Sequence, residues 1–162
     1  MQHDDRLIVA LDFPTFEQAK ECVLELGDTV SHYKVGMELY YAVGSEMIRF
    51  LKEQGKEVFL DLKLQDIPNT VAHALTVLSD LGADMMNVHS VGGKKMMSEA
   101  VKAVREAAKK DIPNESYKLG IYFSIINDNI VTNVPIIKIY TGIFILSETN
   151  FFISETIIFE KT

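Results

Sequence analysis

The amino-acid sequence predicts an α/β fold made of repeated strand–helix units. Four apolar strand candidates recur at a nearly constant interval, over residues 7–12, 32–36, 58–63 and 85–89. Each is followed by apolar residues at helical spacing, so that one strand–helix unit takes about 25 residues. This rhythm is typical of a (β/α) barrel or of a doubly wound parallel sheet, and the periodicity alone leaves both open.

The helices that follow these strands are bounded by capping residues and glycines. Thr15 and Gln18 fit a capping box at the start of the first helix, and Gly27 is its expected end. The other three helices are expected over about residues 45–54, 69–81 and 94–110. No GxGxxG motif follows the first strand, which argues against the dinucleotide-binding type of doubly wound sheet.

Polar side chains stand at or near the carboxyl end of every predicted strand. They are Asp12, Lys34, Asp61, Lys63 and His89. In a barrel the carboxyl ends of the strands meet at one mouth, where barrel enzymes keep their active sites. His89 taken alone would more often be a structural histidine, but four strand ends that converge favour a functional site.

The segment DLKLQDIPNT at residues 61–70 is the most informative of the chain. Side chains two apart on a strand share a face, so Asp61 and Lys63 are expected to project together from an otherwise apolar strand. An unpaired charge there would be costly, so these residues must pair or serve a site. Asp66 follows beyond the strand, before a stiff proline turn. Three charges and a rigid turn favour a site for carbanion chemistry over a single structural ion pair.

Size and charge restrict the classes of function. The chain has 162 residues, a mass of 18.3 kDa and a formal net charge of −7, which fits one acidic globular domain and argues against nonspecific nucleic-acid binding. Cys22 is its one cysteine, so a packing role and a reducing compartment are expected. The apolar run near the start is too short for a signal peptide or a membrane span. We therefore expect a cytoplasmic protein without a membrane partner.

The composition changes abruptly after about Ile112. Residues 113–162 contain no Ala, Arg, Gln, His or Met and are rich in Ile, Asn, Phe, Thr and Tyr. We expect a barrel portion over 1–112 and an atypical tail over 113–162 with, at most, two or three antiparallel strands. The tail composition resembles out-of-frame translation of AT-rich DNA, so we hypothesise a frameshift. An intact reading frame whose close relatives share this tail would refute that hypothesis.

Residues 1–110 resemble the bacterial orotidine 5′-phosphate decarboxylase family, which forms UMP in pyrimidine biosynthesis. The resemblance rests on four segments: IVALD at 8–12, YKVG at 33–36, DLKLQDIPNT at 61–70 and NVHS at 87–90. It extends over about two thirds of the chain but only over the first half of the family's (β/α)8 TIM barrel. A truncated barrel of about four βα units is therefore implied.

The resemblance also implies a role for the charged residues of the predicted mouth. Asp12 and Lys34 look like contacts to the ribose hydroxyls, and Lys34 also belongs to the charged array beside the reacting carbon. Asp61 resembles the acid placed against the substrate carboxylate, and Lys63 resembles the lysine that stabilises and protonates the carbanion. A fixed ammonium suits this reaction, because loss of CO₂ from C6 of the pyrimidine leaves a carbanion that no carbonyl delocalises.

Further roles follow from the same resemblance. Asp66 completes the charged array, and Asp66 and Thr70 match residues that enter the partner subunit's active site, so a homodimer is implied. Ile67 counts with them among the expected catalytic and substrate-binding residues, and His89 matches a less central position near the ribose. The array pairs its own lysines, and the family uses no metal or organic cofactor.

Two alternatives to an active decarboxylase stay open. One is a Mg²⁺-dependent sugar-phosphate decarboxylase or synthase of the same superfamily, although the IPNT continuation at residues 67–70 argues against it. The other is a truncated, catalytically dead protein, because the later barrel strands would supply the phosphate-binding arginine and no arginine occurs after Arg105. A chain that lacks the phosphate-binding part of the barrel is expected to have reduced activity, because it loses the binding energy that helps to organise the site.

Overall fold

The structure is a computed structural model that describes residues 7–111, 118–122, 144–146 and 156–159. Within these residues the strands are β1 Leu7–Ala10, β2 His32–Gly36, β3 Glu57–Leu64, β4 Met85–His89, β5 Lys118–Tyr122, β6 Phe144–Leu146 and β7 Thr156–Phe159. The helices are α1 Phe16–Leu26, α2 Met37–Val43, α3 Glu46–Glu53, α4 Pro68–Asp80 and α5 Gly93–Asp111. The alternation of strand and helix predicted for the first two thirds of the chain is confirmed.

The strand order distinguishes a barrel from a doubly wound sheet. The seven strands form one sheet in the order β6-β1-β2-β3-β4-β5-β7, and β1 to β4 are neighbours in sequence order and parallel. A doubly wound sheet reverses its strand order at a switch point, whereas a barrel adds its strands consecutively. The α/β fold therefore follows the barrel pattern over its four βα units.

The two faces of the sheet carry different side chains. One face packs against the helices in a single large core, to which the strands contribute Tyr33, Val35, Val58, Leu60, Leu62, Met86 and Val88, together with Leu11 directly after β1. The other face carries a second small buried cluster of Ile8, Phe59 and Met85, which includes no residue of the described helices. Helices on one face only are what a barrel wall requires, and the alternate side chains are left to line its interior.

The predicted boundaries of α1 are confirmed, but α2 has no clear sequence signal. The Thr15 side chain caps α1 by accepting a hydrogen bond from the Gln18 amide, and Gly27 ends the helix at a φ of 49°. The seven residues of α2 bury only Leu39 fully, with Tyr40 and Val43 packed against the core beside it, and they leave Tyr41 73% exposed, so the apolar face is too short to give a clear periodic pattern.

The tail strands correct one expectation. We expected the tail to contain, at most, two or three antiparallel strands. Instead β6 pairs in parallel with β1 and β5 pairs in parallel with β4, and only β7 is antiparallel, against β5. β-forming residues suit either direction of pairing, and an open strand edge accepts a partner in either direction, so the composition of the tail does not determine which one forms. Among the described residues no helix is long and apolar enough to cross a membrane.

The large core contains the buried phenol of Tyr33. Tyr33 in β2 is fully buried, and its hydroxyl has no hydrogen-bond partner among the described residues. Burial, followed by the charge of Cys22, raises the pKa of Tyr33 to about 12. Cys22 itself packs against the large core, as expected for its position in α1.

An ion pair at the amino ends of the strands links α3 to the sheet. Lys52 Nζ lies 2.7 Å from Asp84 Oδ2. The same carboxylate oxygen accepts a hydrogen bond of 2.8 Å from the amide of Val58, a fully buried residue of β3. Polar contacts at this end of a barrel wall stabilise the fold, whereas those at the carboxyl ends serve function.

Candidate active site

Four predicted site residues form a continuous chain of ion pairs at the carboxyl ends of β1, β2 and β3. Lys34 Nζ lies 3.0 Å from Asp12 Oδ1 and 3.8 Å from Asp61 Oδ2. Lys63 Nζ lies 2.6 Å from Asp61 Oδ1. Acids and lysines alternate, so their formal charges cancel and each ammonium has a carboxylate beside it. The structure thus brings together residues that are up to 51 positions apart in the sequence, Asp12 and Lys63 being the outermost (63 − 12 = 51).

Exposure increases from the middle of this chain of ion pairs to its ends. The side chains of Lys34 and Asp61 are 11% and 13% exposed, whereas those of Lys63 and Asp12 are 26% and 44% exposed. Coulomb interactions at the centre are therefore screened less than those at a free surface. A bound molecule can reach the outer two residues. Gly36 lies directly beside this ion pair, because a Cβ at its position would be in van der Waals contact with Asp12 Oδ1 and Lys34 Nζ, at 3.5 Å from each.

Lys63 has an unusual backbone for a strand residue. Its φ is 50°, and it is the one non-glycine residue of the described chain with a positive φ. The pairing of β3 with β4 shifts there: Leu60 pairs with Met86, but the next pair joins Leu64 to Val88. Four residues of β3 therefore advance against two of β4, as in a β-bulge. Asp61 and Lys63 do lie together as predicted, but the regular strand assumed for them is wrong at Lys63.

Asn87 lies opposite this bulge and contacts both charged residues. Its Nδ2 donates a 2.6 Å hydrogen bond to Asp61 Oδ1, and its Oδ1 accepts one of 2.7 Å from the backbone amide of Lys63. The residue is 1% exposed. The sequence interpretation included Asn87 in the NVHS segment without a role. A lone amide in the buried strand MMNVH was the available signal, because a buried polar side chain must find partners.

The turn after β3 stays apart from the ion pairs within the described chain. Asp66 Oδ1 accepts a 2.6 Å hydrogen bond from the amide of Ile67, and Pro68 begins α4 as its first residue. Asp66, Ile67 and Thr70 are all exposed, Ile67 to 66%. Among residues 7–111 neither Asp66 nor Thr70 forms an ion pair with the four charged residues. The predicted rigid turn is present, and it directs these side chains outward.

His89 stands at the end of β4 on the same edge of the sheet. Its Nδ1 accepts a 3.2 Å hydrogen bond from the amide of Val91 and thereby caps the short 3₁₀ turn Ser90–Gly92. This contact gives His89 a structural role at the mouth.

The fold and the site define a class of protein: a (β/α)-barrel protein with alternating acids and lysines at the carboxyl ends of its first three strands. Against models of protein families, residues 5–157 match the orotidine 5′-phosphate decarboxylase / HUMPS family. The chain belongs to this family. The resemblance carried by the four sequence segments is therefore confirmed.

Individual relatives agree with this assignment. The orotidine 5′-phosphate decarboxylase of Streptococcus thermophilus (strain CNRZ 1066) is 52% identical over 104 residues, which is 64% of this chain and 45% of that protein. The protein of the same name from Carboxydothermus hydrogenoformans is 55% identical over 106 residues, 65% of this chain and 44% of that protein. The chain thus spans less than half the length of these two curated relatives.

A solved structure supports the fold assignment. The crystal structure of orotidine 5′-phosphate decarboxylase from Lactobacillus acidophilus matches with a TM-score of 0.62 and 37% sequence identity. The match covers 72% of this chain and 51% of that chain. This structural match agrees with the family assignment made from the sequence.

Proposed function

We propose that this chain carries the decarboxylating site of an orotidine 5′-phosphate decarboxylase, which converts orotidine 5′-phosphate (OMP) to UMP and CO₂. The observation that carries the proposal is the chain of ion pairs from Asp12 through Lys34 and Asp61 to Lys63. A decarboxylation without an electron sink in the substrate needs a fixed positive charge beside the carbon that loses CO₂. Lys63, anchored to Asp61 and partly exposed, meets this need.

The proposed reaction uses the chain's own side chains throughout. The bond between C6 and the carboxylate carbon breaks, the electron pair stays on C6, and CO₂ departs. The Lys63 ammonium stabilises this pair and then transfers a proton to C6, giving UMP and a neutral amine that regains a proton from water. Asp61 lies beside the leaving carboxylate and disfavours the bound substrate relative to the transition state. Of the two effects the ammonium contributes more.

Asp12 and Lys34 are assigned to the ribose in this proposal. Asp12 is the most exposed of the four residues and its carboxylate can accept hydrogen bonds from hydroxyl groups. Lys34, held between two carboxylates, keeps a defined position from which it donates to the same sugar. Binding energy from the ribose orients the pyrimidine against Lys63.

The direct test is CO₂ release from carboxyl-labelled OMP by the purified chain. We expect Lys63→Ala to lower turnover by at least about 10³-fold, because an electrostatic donor and the proton source are lost together. Lys102→Ala is the matched control, since Lys102 is an exposed lysine of α5 away from the strand ends. Turnover of Lys63→Ala close to that of the control would refute the role of Lys63. A wild-type chain that neither turns over OMP nor binds UMP would identify the chain as catalytically dead.

We further propose that the chain acts as a homodimer in which Asp66 and Thr70 enter the partner's site. Three observations support this: both residues are exposed, Asp66 takes no part in the ion pairs of its own chain within residues 7–111, and the neighbouring Ile67 exposes an apolar side chain. An outward-facing carboxylate on a rigid turn can complete a site in another subunit.

Mixing two inactive variants tests this shared site. Lys63→Ala removes a residue of the subunit's own site, and Asp66→Ala removes a residue of the partner's site. A mixed dimer regains one intact site of two, so an equimolar mixture that exchanges subunits should recover about a quarter of wild-type turnover. A mixture no more active than its two components would contradict the proposed sharing.

The proposed reaction needs no metal and belongs in the cytoplasm. The alternating charges supply the electrostatic stabilisation themselves, so turnover should survive exhaustive treatment with a chelator. The cytoplasmic location is supported by the single cysteine of the chain, Cys22, which suits a reducing compartment. Activity that is lost with chelator and restored by Mg²⁺ would refute the first part, and recovery of the chain in a membrane or secreted fraction would refute the second.

A further inference from the structure

Asn87 connects the side chain of one catalytic residue to the backbone of the next. Its amide nitrogen donates to Asp61 Oδ1 at 2.6 Å, and its amide oxygen accepts from the Lys63 amide at 2.7 Å. We propose that Asn87 is a positioning residue that sets the distance and direction between the Asp61 carboxylate and the Lys63 ammonium. This inference deepens the proposed decarboxylase function and rests on it for its catalytic consequence.

The location of Asn87 in the sheet explains why this position needs a side chain that hydrogen-bonds. Between the pairs Leu60 with Met86 and Leu64 with Val88, the regular ladder of β3 and β4 is interrupted. A bulge leaves backbone groups without their usual partners, and buried amides without partners are costly. The Asn87 side chain replaces the missing ladder partner of Lys63, so the bulge is stabilised from within the sheet.

The bulge in turn determines where Lys63 points. A φ of 50° is unfavourable for a residue with a Cβ, and such conformations persist only where the surroundings hold them. With the hydrogen bond from the Lys63 amide to Asn87 Oδ1 in place, Lys63 Nζ stands 2.6 Å from Asp61 Oδ1. If the backbone relaxed to an ordinary strand conformation, the lysine side chain would leave this direction.

Only an amide of this length meets both requirements. Asparagine carries a donor and an acceptor on one planar group, whereas aspartate retains the acceptors and donates only when protonated. Leucine has a similar shape and neither function. Asn87→Leu and Asn87→Asp therefore separate the two hydrogen bonds, because both variants change the contact to Asp61 and only the first removes the contact to the Lys63 amide.

Amide hydrogen exchange on the full chain tests the structural part of the proposal without any substrate. In Asn87→Leu we expect exchange of the Lys63 amide to quicken by about 10-fold or more relative to the Phe59 amide of the same strand. In Asn87→Asp the Lys63 amide should keep its protection. Met86→Leu is the control, because Met86 is equally buried but faces the helices, and it should leave both amides unchanged. If the Lys63 amide of Asn87→Leu exchanged at the same rate as in the wild type, the proposal would be overturned.

The catalytic part is read from kcat, KM and their pH dependence. Misplacement of the ammonium by about 1 Å costs on the order of 100-fold in rate, so kcat of Asn87→Leu should fall by that factor while KM changes little. Turnover of Asn87→Asp should rise as the pH is lowered, since the protonated acid can again donate to Asp61. Parallel pH profiles for the two variants would contradict the donor role. Because exchange is measured without substrate, an inactive wild-type chain refutes the proposed function and leaves the exchange result valid.

Discussion

The positive φ of Lys63 predicts which of two substitutions at this position, alanine or glycine, gives the more stable protein. Lys63→Ala and Lys63→Gly both remove the ammonium and its 2.6 Å contact to Asp61, so that loss cancels when the two variants are compared. They differ in the Cβ, which at a φ of 50° costs about 1–2 kcal/mol. The greater chain entropy of glycine opposes this by about 0.5–1 kcal/mol. Lys63→Gly should therefore be more stable than Lys63→Ala by about 1 kcal/mol.

Urea unfolding followed by circular dichroism measures this difference. In thermal unfolding, the same difference of about 1 kcal/mol corresponds to about 2–4 °C in Tm for a domain of this size. The same two substitutions at Lys34 serve as the control, because Lys34 is a strand residue without a positive φ. There glycine should be less stable than alanine by about 0.5–1 kcal/mol. Equal stabilities at position 63, or the same sign at both positions, would refute the bulge geometry.

Two further predictions concern the core and the amino ends of the strands. The pKa of Tyr33 is raised to about 12 in the folded chain, above its unfolded value of about 10, so its neutral phenol contributes stability below pH of about 10 that is lost as the pH rises to about 12. We expect the free energy of unfolding, measured by urea titration, to fall less between neutral pH and pH of about 12 in Tyr33→Phe than in the wild type. An equal fall in the two proteins would contradict this. Asp84→Ala should destabilise by about 1–2 kcal/mol, because it leaves the buried Val58 amide without its acceptor. Asp80→Ala, at an exposed position of α4, should stay within about 0.5 kcal/mol of the wild type, and equal effects of the two substitutions would count against the assigned role of Asp84.

Much of the fold could be predicted because periodicity and capping act locally. β2 and β4 have the predicted bounds, and α1 begins after Thr15 and ends before Gly27, as expected. The helix α2 is the exception, since its seven residues bury only Leu39 fully and are too few to show a clear helical period. The parallel pairing of β5 and β6 depends on which strand edges are open in three dimensions, and composition alone does not contain that information.

The candidate site was predictable in its residues and not in its backbone. A strand end with Asp61 and Lys63 two positions apart indicates proximity, and the structure brings them to 2.6 Å. The positive φ of Lys63 results from a register shift against β4, which no residue within β3 signals. Asn87 was missed for the same reason, because its partners come from the neighbouring strand.

Exchange of the C6 proton of UMP with solvent deuterium tests the central claim most directly. Proton transfer from Lys63 to C6 is the last step of the proposed reaction, so by reversibility the same ammonium must support removal of that proton from bound UMP. We expect the purified chain to catalyse deuterium incorporation at C6, detected by NMR, and Lys63→Ala to lose this activity while Lys102→Ala retains it. Incorporation at the same rate in Lys63→Ala, or none with the wild-type chain when UMP is bound, would contradict the account.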